Sequence, residues 1–525
     1  MSLFSRLVGS RLIRNGADSA FSRYARRRTR QIDQRSTTQL QEQTLLRLVR
    51  HAQHTIFGRD HGFAQIRSIA DYHRRVPLRE YESFWSEYWQ PSFPHVNNAT
   101  WPGSMPYFSL SSGTTSGSTK YIPVSREMLA SNRRAAMTSL AWYRTHQTDA
   151  RLFTGRMFFL GGSTALTPHP HSFGKTLVGD LSGIAAREVS SFLRPYTYPS
   201  LNIALLTDWE EKLDVLVRES INLPITLISG VPSWLLVLFD RMRQRTGQER
   251  IIDIWPTLRV VVHGGTRFDP YRGLFRRVVG EGVDFLETYP ASEGFVAAED
   301  PRHGLLRLVP DHGIFYEFVP VAEVGRERPS RHTIREVETG VQYAVVLTTC
   351  AGLWSYVLGD TVCFENRNPP LLRFSGRTKQ FLSAFGEHLI GEEVEIAVAR
   401  AARATDCEAN EFHAGPIFPG DGCSPGRHRF LVEFTKPPQD ACSFANSLDI
   451  ELTRINEDYL AHRAGNLTML APEVVVLPRG AFSNWMRSRG KLGGQHKVPR
   501  LDNTGIVTRE LSEWAQVDGN QGVRP

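Results

Sequence analysis

From Trp101 onward, short apolar runs ending in glycine, serine or a turn alternate with helical stretches, which restricts the chain to an α/β fold with substantial parallel sheet. The runs 156–161, 225–229, 258–263 and 285–289 read as strands, with helices over 209–219 and 270–279 between them. The longest apolar run, Ile225 to Phe239, is shorter than the roughly 18–20 residues that span a bilayer, and Gly230 and Pro232 interrupt it. It reads as a short strand, a turn and a helix. Residues 37–87 read as helices. From about Phe374 the pattern becomes α+β: a helix over 392–403, a strand over 428–434, a helix over 447–462 and a strand over 473–477.

A chain of 525 residues is too long for one ordinary core. The boundary is expected at Arg377–Lys379. That gives a large N-terminal domain of mixed or parallel sheets over 1–378 and a smaller α+β domain over 379–525. With 41% hydrophobic and 22% charged residues, the chain is neither disordered nor fibrous. The formal charge of +8 is unevenly placed: nine arginines face only Asp18 and Asp33 in the first 35 residues, so the remainder is nearly neutral. Nucleic acid is not an expected partner, because no aromatic-basic motif accompanies this segment. Leu3, Phe4, Leu7, Val8, Leu12 and Ile13 fall at helical spacing within the basic segment 1–36. A helix packed on the main body is the leading reading; a weak membrane-surface helix and a transit peptide stay open. Five scattered cysteines without CxxC spacing argue for a reducing compartment and against zinc. A cytoplasmic monomer is expected.

Three segments carry chemistry. In Phe108-Ser-Leu-Ser-Ser-Gly-Thr-Thr-Ser-Gly-Ser-Thr-Lys-Tyr-Ile-Pro123 an apolar strand enters a loop of glycines and hydroxyls that closes on a lysine. Gly113 and Gly117 allow backbone N–H groups to approach an anion, Ser111, Ser112, Thr114, Thr115 and Ser116 supply hydroxyls, and Lys120 supplies charge. This suits a polyphosphate, although the spacing is not that of a Walker loop. Glu287-Thr-Tyr-Pro-Ala-Ser-Glu-Gly294 follows a strand, so Tyr289 and Glu293 lie where ligands of open α/β sheets bind. Gly352-Leu-Trp-Ser-Tyr-Val-Leu-Gly-Asp360, followed by Gly376-Arg377, offers a carboxylate for ribose hydroxyls and a guanidinium for phosphate or ribose oxygens.

In this order the segments resemble the acyl-adenylate-forming superfamily, and within it the auxin-responsive-promoter family of acyl-acid amido synthetases. The likeness extends to Thr55-Ile-Phe-Gly-Arg-Asp-His-Gly-Phe63, Val76-Pro-Leu-Arg-Glu-Tyr81 and Phe315-Tyr-Glu-Phe318. It implies an ATP-dependent ligase that adenylates a small carboxylic acid and passes the acyl group to an amine, expected to be an amino acid. By this resemblance Ser111 to Lys120 would grip the ATP phosphates, and His263-Gly264-Gly265-Thr266 would be the adenine-side turn. Tyr289 would contact adenine, Glu293 would ligate Mg²⁺, and Asp360 and Arg377 would hold the ribose. Lys379 would be the hinge of a mobile C-terminal domain, and Lys497 would be the lysine that swings onto the adenylate.

Two departures bear on the acceptor. Val357 stands where the family often has arginine, and Gly386-Glu-His-Leu389 looks like the GE-x-hydrophobic pattern of acyl-CoA ligases. They suggest a bacterial-type branch. An acyl-CoA ligase and a silent acyl- or nucleotide-binding protein remain as alternatives. His388 and His496 are candidates for the base that deprotonates the amine, and Arg133–Arg134, Phe173 and Tyr196–Tyr198 for contacts to the acid.

Overall fold

The computed structural model describes residues 10–112, 119–161, 166–168, 176–189, 193–206, 208–265, 268, 272–378, 381–382, 384–385, 387, 389–417, 426–456, 459–460, 463, 469–489, 498–502 and 504–517. The chain divides into two units. One runs to Leu358 and takes in Val362–Phe374; the other takes in Gly359–Thr361, Ser375–Leu492 and the chain from His496.

The first unit is organised by strands β1 (Tyr107–Ser112), β2 (Thr119–Val124), β3 (Arg156–Phe159), β4 (Thr167–Pro168), β5 (Leu177–Gly179), β6 (Thr197–Tyr198), β7 (Ile225–Gly230), β8 (Val260–Gly264), β9 (Asp284–Ala291), β10 (Gly294–Asp300), β11 (Leu305–Leu308), β12 (Ile314–Pro320), β13 (Gln342–Thr349) and the greater part of β14 (Tyr356–Arg367) and β15 (Pro370–Arg377), whose segments Gly359–Thr361 and Ser375–Arg377 fall in the second unit. Among the described residues one sheet has the order β2-β1-β5-β4 and a larger one β12-β13-β14-β15-β11-β10-β9-β8-β7-β3-β6. The larger sheet is mixed. Strands β6, β3, β7, β8 and β9 run parallel, whereas β9 to β10, β10 to β11 and β12 to β13 pair antiparallel.

The parallel half follows from composition. Strands β7 and β8 are apolar on both faces, as a sheet covered by crossover helices requires. The helices Trp209–Ser220, Pro232–Thr246 and Arg272–Val279 lie between successive strands. Leu213, Leu216, Leu235, Leu238, Phe239 and Phe275 share one core with Ile225, Ile228 and Val261. Pro232 opens its helix and Gly247, at φ +71°, closes it. The helix Arg126–His146 leaves β2 directly. Ser125 caps it, accepting from Met128 N at 2.9 Å, and its Ala135 and Trp142 pack with Phe295 and Ala298 of β10.

The arginine-rich segment is built into this unit. Its helix, Arg11–Asp33, buries Phe21, Ala25 and Ile32 together with Asp18 and Arg28. Arg28 forms a two-pronged pair with Asp311, both contacts at 2.6 Å, and its Nε donates to Thr138 Oγ1 at 2.9 Å. Asp33 pairs with Arg302 and Arg307, which also hold buried Asp300. The docking face therefore differs from the apolar set expected at the start of the chain. Leu12 and Ile13 are 85% and 41% exposed, and Leu3, Phe4, Leu7 and Val8 lie outside the described residues.

The second unit holds the short pair β16 (Phe381–Leu382) and β17 (Leu389–Ile390) and the sheet β18 (Glu408–Ile417), β19 (Arg427–Lys436) and β20 (Glu473–Leu477). Alternation along β19 covers both faces. Phe430, Val432 and Phe434 meet the helices Gly391–Ala404 and Ala441–Ile455. Leu431 faces Phe482, Trp485, Met486 and Leu511 from Ala481–Ser488 and Ile506–Val517. The helix expected from Ser447 begins at Ala441 because the Asp440 carboxylate caps it, accepting from Cys442 N and Ser443 N. The architecture is the α/β arrangement expected, with a large mixed sheet and a smaller α+β unit. Among the described residues no helix is long and apolar enough to cross a membrane.

Candidate active site

Strand β1 ends where the hydroxyl- and glycine-rich segment begins, and β2 returns beside it with Ser111 opposite Lys120 and Ser112 opposite Thr119. Gly113, Thr114, Thr115, Ser116 and Gly117 lie outside the described residues. Lys120 is half-buried, with Nζ 5.2 Å from the centroid of the Tyr81 ring. The ring face attracts the ammonium and steadies it without neutralising it. Tyr81 is held in turn: its hydroxyl accepts from Tyr121 N at 2.9 Å, and burial pushes its phenol up to about 12. Tyr81 closes the Val76–Tyr81 motif, but only the fold brings that motif to Lys120.

The C-terminal ends of β8 and β9 form the second part. Gly264 pairs with Thr288 across the two strands. A side chain there would place Cβ 2.4 Å from the Thr288 carbonyl oxygen, so glycine is required. Thr288 Oγ1 donates to the His263 carbonyl at 3.0 Å. The next residue, Gly265, has φ +81°, and Thr266 lies outside the described residues. Tyr289 follows Thr288 and is buried, edge-on to Phe374 with centroids 5.4 Å apart. Strand β9 continues to Ala291, and Ser292 and Glu293 form the two-residue turn into β10.

Glu293 is buried in that turn. Tyr356 donates its phenolic hydrogen to Glu293 Oε1 at 3.1 Å. Burial, and then the Glu293 charge, push the Tyr356 phenol well above its ordinary range, so it stays protonated as a donor. Tyr81 and Glu82 lie near enough to add to that shift. Lys120, Tyr81, Tyr356 and Glu293 thus form one neighbourhood drawn from four separate stretches of chain. Met128, just beyond β2, adds to it, since its Cε would lie 3.7 Å from a Cβ at Gly294. Tyr81 and Tyr356 had no signal of their own beyond membership of quoted motifs.

In the second unit Asp360 is buried and its Oδ1 lies 3.0 Å from Arg377 Nε. Thr378 N donates to Gly359 O at 2.8 Å, and Gly359 has φ +86°. The carboxylate and guanidinium expected at the ribose are therefore adjacent. Lys379, Lys497, His388 and His496 lie outside the described residues. The chain just after Lys497 is fixed: Arg500 O accepts from Ala414 N at 2.8 Å, and Arg500 bridges Glu395 at 2.7 Å and Glu411 at 3.2 Å. Glu387, read as part of the GE-x-hydrophobic pattern, is fully buried and accepts from His428 Nε2 at 2.6 Å. Burial opposes its ionisation, but His428 holds its carboxyl below the usual range. Its role there is structural.

The residues suggested for the acid fare differently. Tyr196 and Tyr198 are core residues, edge-on to Phe153 and Phe158. Arg133 and Arg134 are exposed and donate to the carbonyls of Glu188 and Asp311. Phe173 lies outside the described residues.

Among family models, the GH3 family N-terminal domain matches residues 30–284, the central domain 307–377 and the C-terminal domain 392–505. Jasmonoyl–L-amino acid synthetase GH3.5 of Oryza sativa subsp. japonica is 29% identical over 276 residues, which is 48% of this chain and 46% of that protein. Indole-3-acetic acid-amido synthetase GH3.3 of Arabidopsis thaliana is 27% identical over 196 residues, 35% and 33% of the two chains. The chain thus spans less than half the length of these relatives. They are plant enzymes, and the expected bacterial-type branch is not borne out. By structure, the AtGH3.15 acyl acid amido synthetase in complex with 2,4-DB superposes with a TM-score of 0.76 at 16% identity, covering 92% of this chain and 94% of that one. A 2-hydroxyisobutyryl-CoA ligase in the postadenylation state gives 0.55 at 13% identity, covering 90% of each chain. With three consecutive domain models matched in order along its length, the chain belongs to the GH3 family.

Proposed function

We propose that this protein is an ATP-dependent ligase that converts a small carboxylic acid to its acyl-adenylate with release of pyrophosphate, then transfers the acyl group to an amine, an amino acid, with release of AMP. The observation that carries this is the neighbourhood of Lys120 and Glu293, joined through Tyr81 and Tyr356, in a chain of the GH3 family. Relatives named as amido synthetases of jasmonate and indole-3-acetic acid support it.

A carboxylate attacking the α-phosphorus of ATP brings anion toward anion. Residues 111–120 would bind the triphosphate through hydroxyls, backbone N–H groups and the Lys120 ammonium, and Lys497 would reach the reacting phosphate. Gly264, Gly265 and Tyr289 would receive the adenine, and Asp360 with Arg377 the ribose. Glu293 suits Mg²⁺: it is a single hard oxygen ligand, and Mg²⁺ is commonly held by one or two carboxylates and substrate phosphates. Among the described residues no cluster of three His, Cys, Asp or Glu could hold a metal alone, so the remaining oxygens would come from ATP. When bound, the ion would neutralise phosphate charge. Residues 379–525 would turn about Lys379 between the steps, so that adenylation and amide formation use one site in two settings. A cytoplasmic monomer completes the proposal, the compartment in keeping with five scattered cysteines that lack CxxC spacing.

The second reading, acyl transfer to coenzyme A, is favoured by the Gly386–Leu389 pattern and by the likeness to a CoA ligase fold. A pyrophosphate-release screen of aryl, indole and fatty acids, each offered amino acids or CoA, separates the two. Amide formation supports the proposal, thioester formation supports the second reading, and acid-independent ATP turnover refutes both.

A further inference from the structure

The neighbourhood of Glu293 leads back to a buried polar network that the reaction as described does not use. Ser355, the residue before Tyr356, is one of three described non-glycine residues with positive φ, at +46°. A serine in the left-handed region is unfavourable and persists only where its surroundings fix it. Those surroundings are unusually complete. Ser355 N donates to Thr348 Oγ1 at 3.0 Å. Ser355 Oγ donates to Glu317 Oε2 at 2.9 Å and accepts from Arg331 Nη2 at 2.6 Å. Tyr72 Oη lies 3.0 Å from the same hydroxyl and 2.6 Å from Thr348 Oγ1.

Glu317 has no exposed surface. Burial opposes its charge, but Arg331 and His73 hold its carboxyl below the usual range, so an ionised carboxylate sits in the core. Its Oε1 is met by Arg331 Nε at 2.7 Å and lies 3.0 Å from His73 Nε2. The backbone on either side of Tyr356 is also pinned: Arg79 N donates to Ser355 O at 3.0 Å, and Val357 N donates to Arg79 O at 2.9 Å. Trp354, Ser355 and Tyr356 are all buried. The left-handed turn at Ser355 immediately precedes β14, whose first residue, Tyr356, meets Glu293.

We propose that Tyr356 is a positioning residue for Glu293, holding one carboxylate oxygen so that the group presents a fixed orientation to a divalent cation on ATP, and that Ser355, locked by Glu317, Arg331 and Tyr72, sets where Tyr356 stands. This rests on the reading of Glu293 as the metal ligand. Outer hydrogen bonds to ligating groups orient them, and their loss commonly weakens metal binding by about 10- to 100-fold. A purely structural network would alter stability without singling out the metal.

The test is Mn²⁺ binding to the full chain in the presence of ATP and absence of acid, read by electron paramagnetic resonance, with thermal unfolding as the fold control. Tyr356→Phe keeps the ring and removes the donor, and is expected to weaken Mn²⁺ binding about tenfold. Ser355→Gly keeps positive φ available and removes the hydroxyl, and is expected to act in the same direction by a smaller factor. In a Glu293→Gln background, Tyr356→Phe should have no further effect, because the group it orients is gone. The inference is overturned if Tyr356→Phe leaves Mn²⁺ affinity unchanged in the wild-type background, or weakens it equally with Gln at 293. If Glu293→Gln itself leaves Mn²⁺ affinity unchanged, the ligand reading fails first, and the inference falls with it.

Discussion

Replacing Arg28 by alanine tests whether the arginine-rich segment is part of the fold. The guanidinium and Asp311 are 7% and 14% exposed, and both prongs of the pair measure 2.6 Å. Truncation strands a largely buried carboxylate and also removes the bond to Thr138. Breaking a buried pair from one side costs about 3–5 kcal/mol. Replacing both partners, as in Arg28→Met with Asp311→Leu, should recover most of that loss. The pH dependence supplies a second check. Burial raises the Asp311 carboxyl, but Arg28, by hydrogen bond and by charge, overrides burial and holds it below the ordinary value. A depressed folded-state pKa means the pair's contribution is present above the unfolded carboxyl value, near 3.9, and is lost as pH falls through the folded value. The gap between wild type and Arg28→Ala in urea unfolding should therefore be full at pH 7 and shrink toward pH 3. A variant within about 1 kcal/mol of wild type at pH 7, the scale of an exposed ion pair, would refute the reasoning.

Gly264→Ala forces a Cβ to 2.4 Å from the Thr288 carbonyl oxygen. It should cost about 1–3 kcal/mol and raise KM for ATP, as unfolding and steady-state kinetics would register. Lys497→Ala should depress adenylate formation most. Lys379→Pro should spare that step and slow the reaction of pre-formed adenylate with amine, because proline fixes φ at a hinge; single-turnover kinetics distinguishes the two, and equal loss of both steps in a folded Lys379→Pro variant counts against a hinge there.

How far the sequence reached depended on whether a feature was local. Strands β7 and β8 are readable because parallel strands covered on both faces are near-continuous apolar runs, and the helices between the parallel strands are local patterns. The antiparallel half is less legible: within β12 only Phe315–Phe318 is recognisable in the sequence, by resemblance rather than periodicity. The helix expected from Ser447 starts earlier, at Ala441, because its start is set by the Asp440 cap and not by apolar spacing. In the first 35 residues a helix docked on the main body is the leading reading of the sequence, but the face it docks by is not legible there. Arg28 carries no local sign of its partner, because Asp311 lies 283 residues away in the chain. The candidate site divides in the same way. Lys120 and Glu293 stand in motifs, whereas Tyr81 and Tyr356, which link them, owe their significance to contacts across 40 and 63 residues of chain.

The central claim, adenylation of a carboxylic acid at the Lys120–Glu293 neighbourhood, is tested most directly by acid-dependent exchange of labelled pyrophosphate into ATP, run on wild type and on Lys120→Ala. Exchange should appear only when an accepted acid is present, and should fall by more than about tenfold in the folded variant, because an ammonium facing the polyphosphate is lost. Undiminished exchange in folded Lys120→Ala, or exchange that proceeds without acid, would contradict the account.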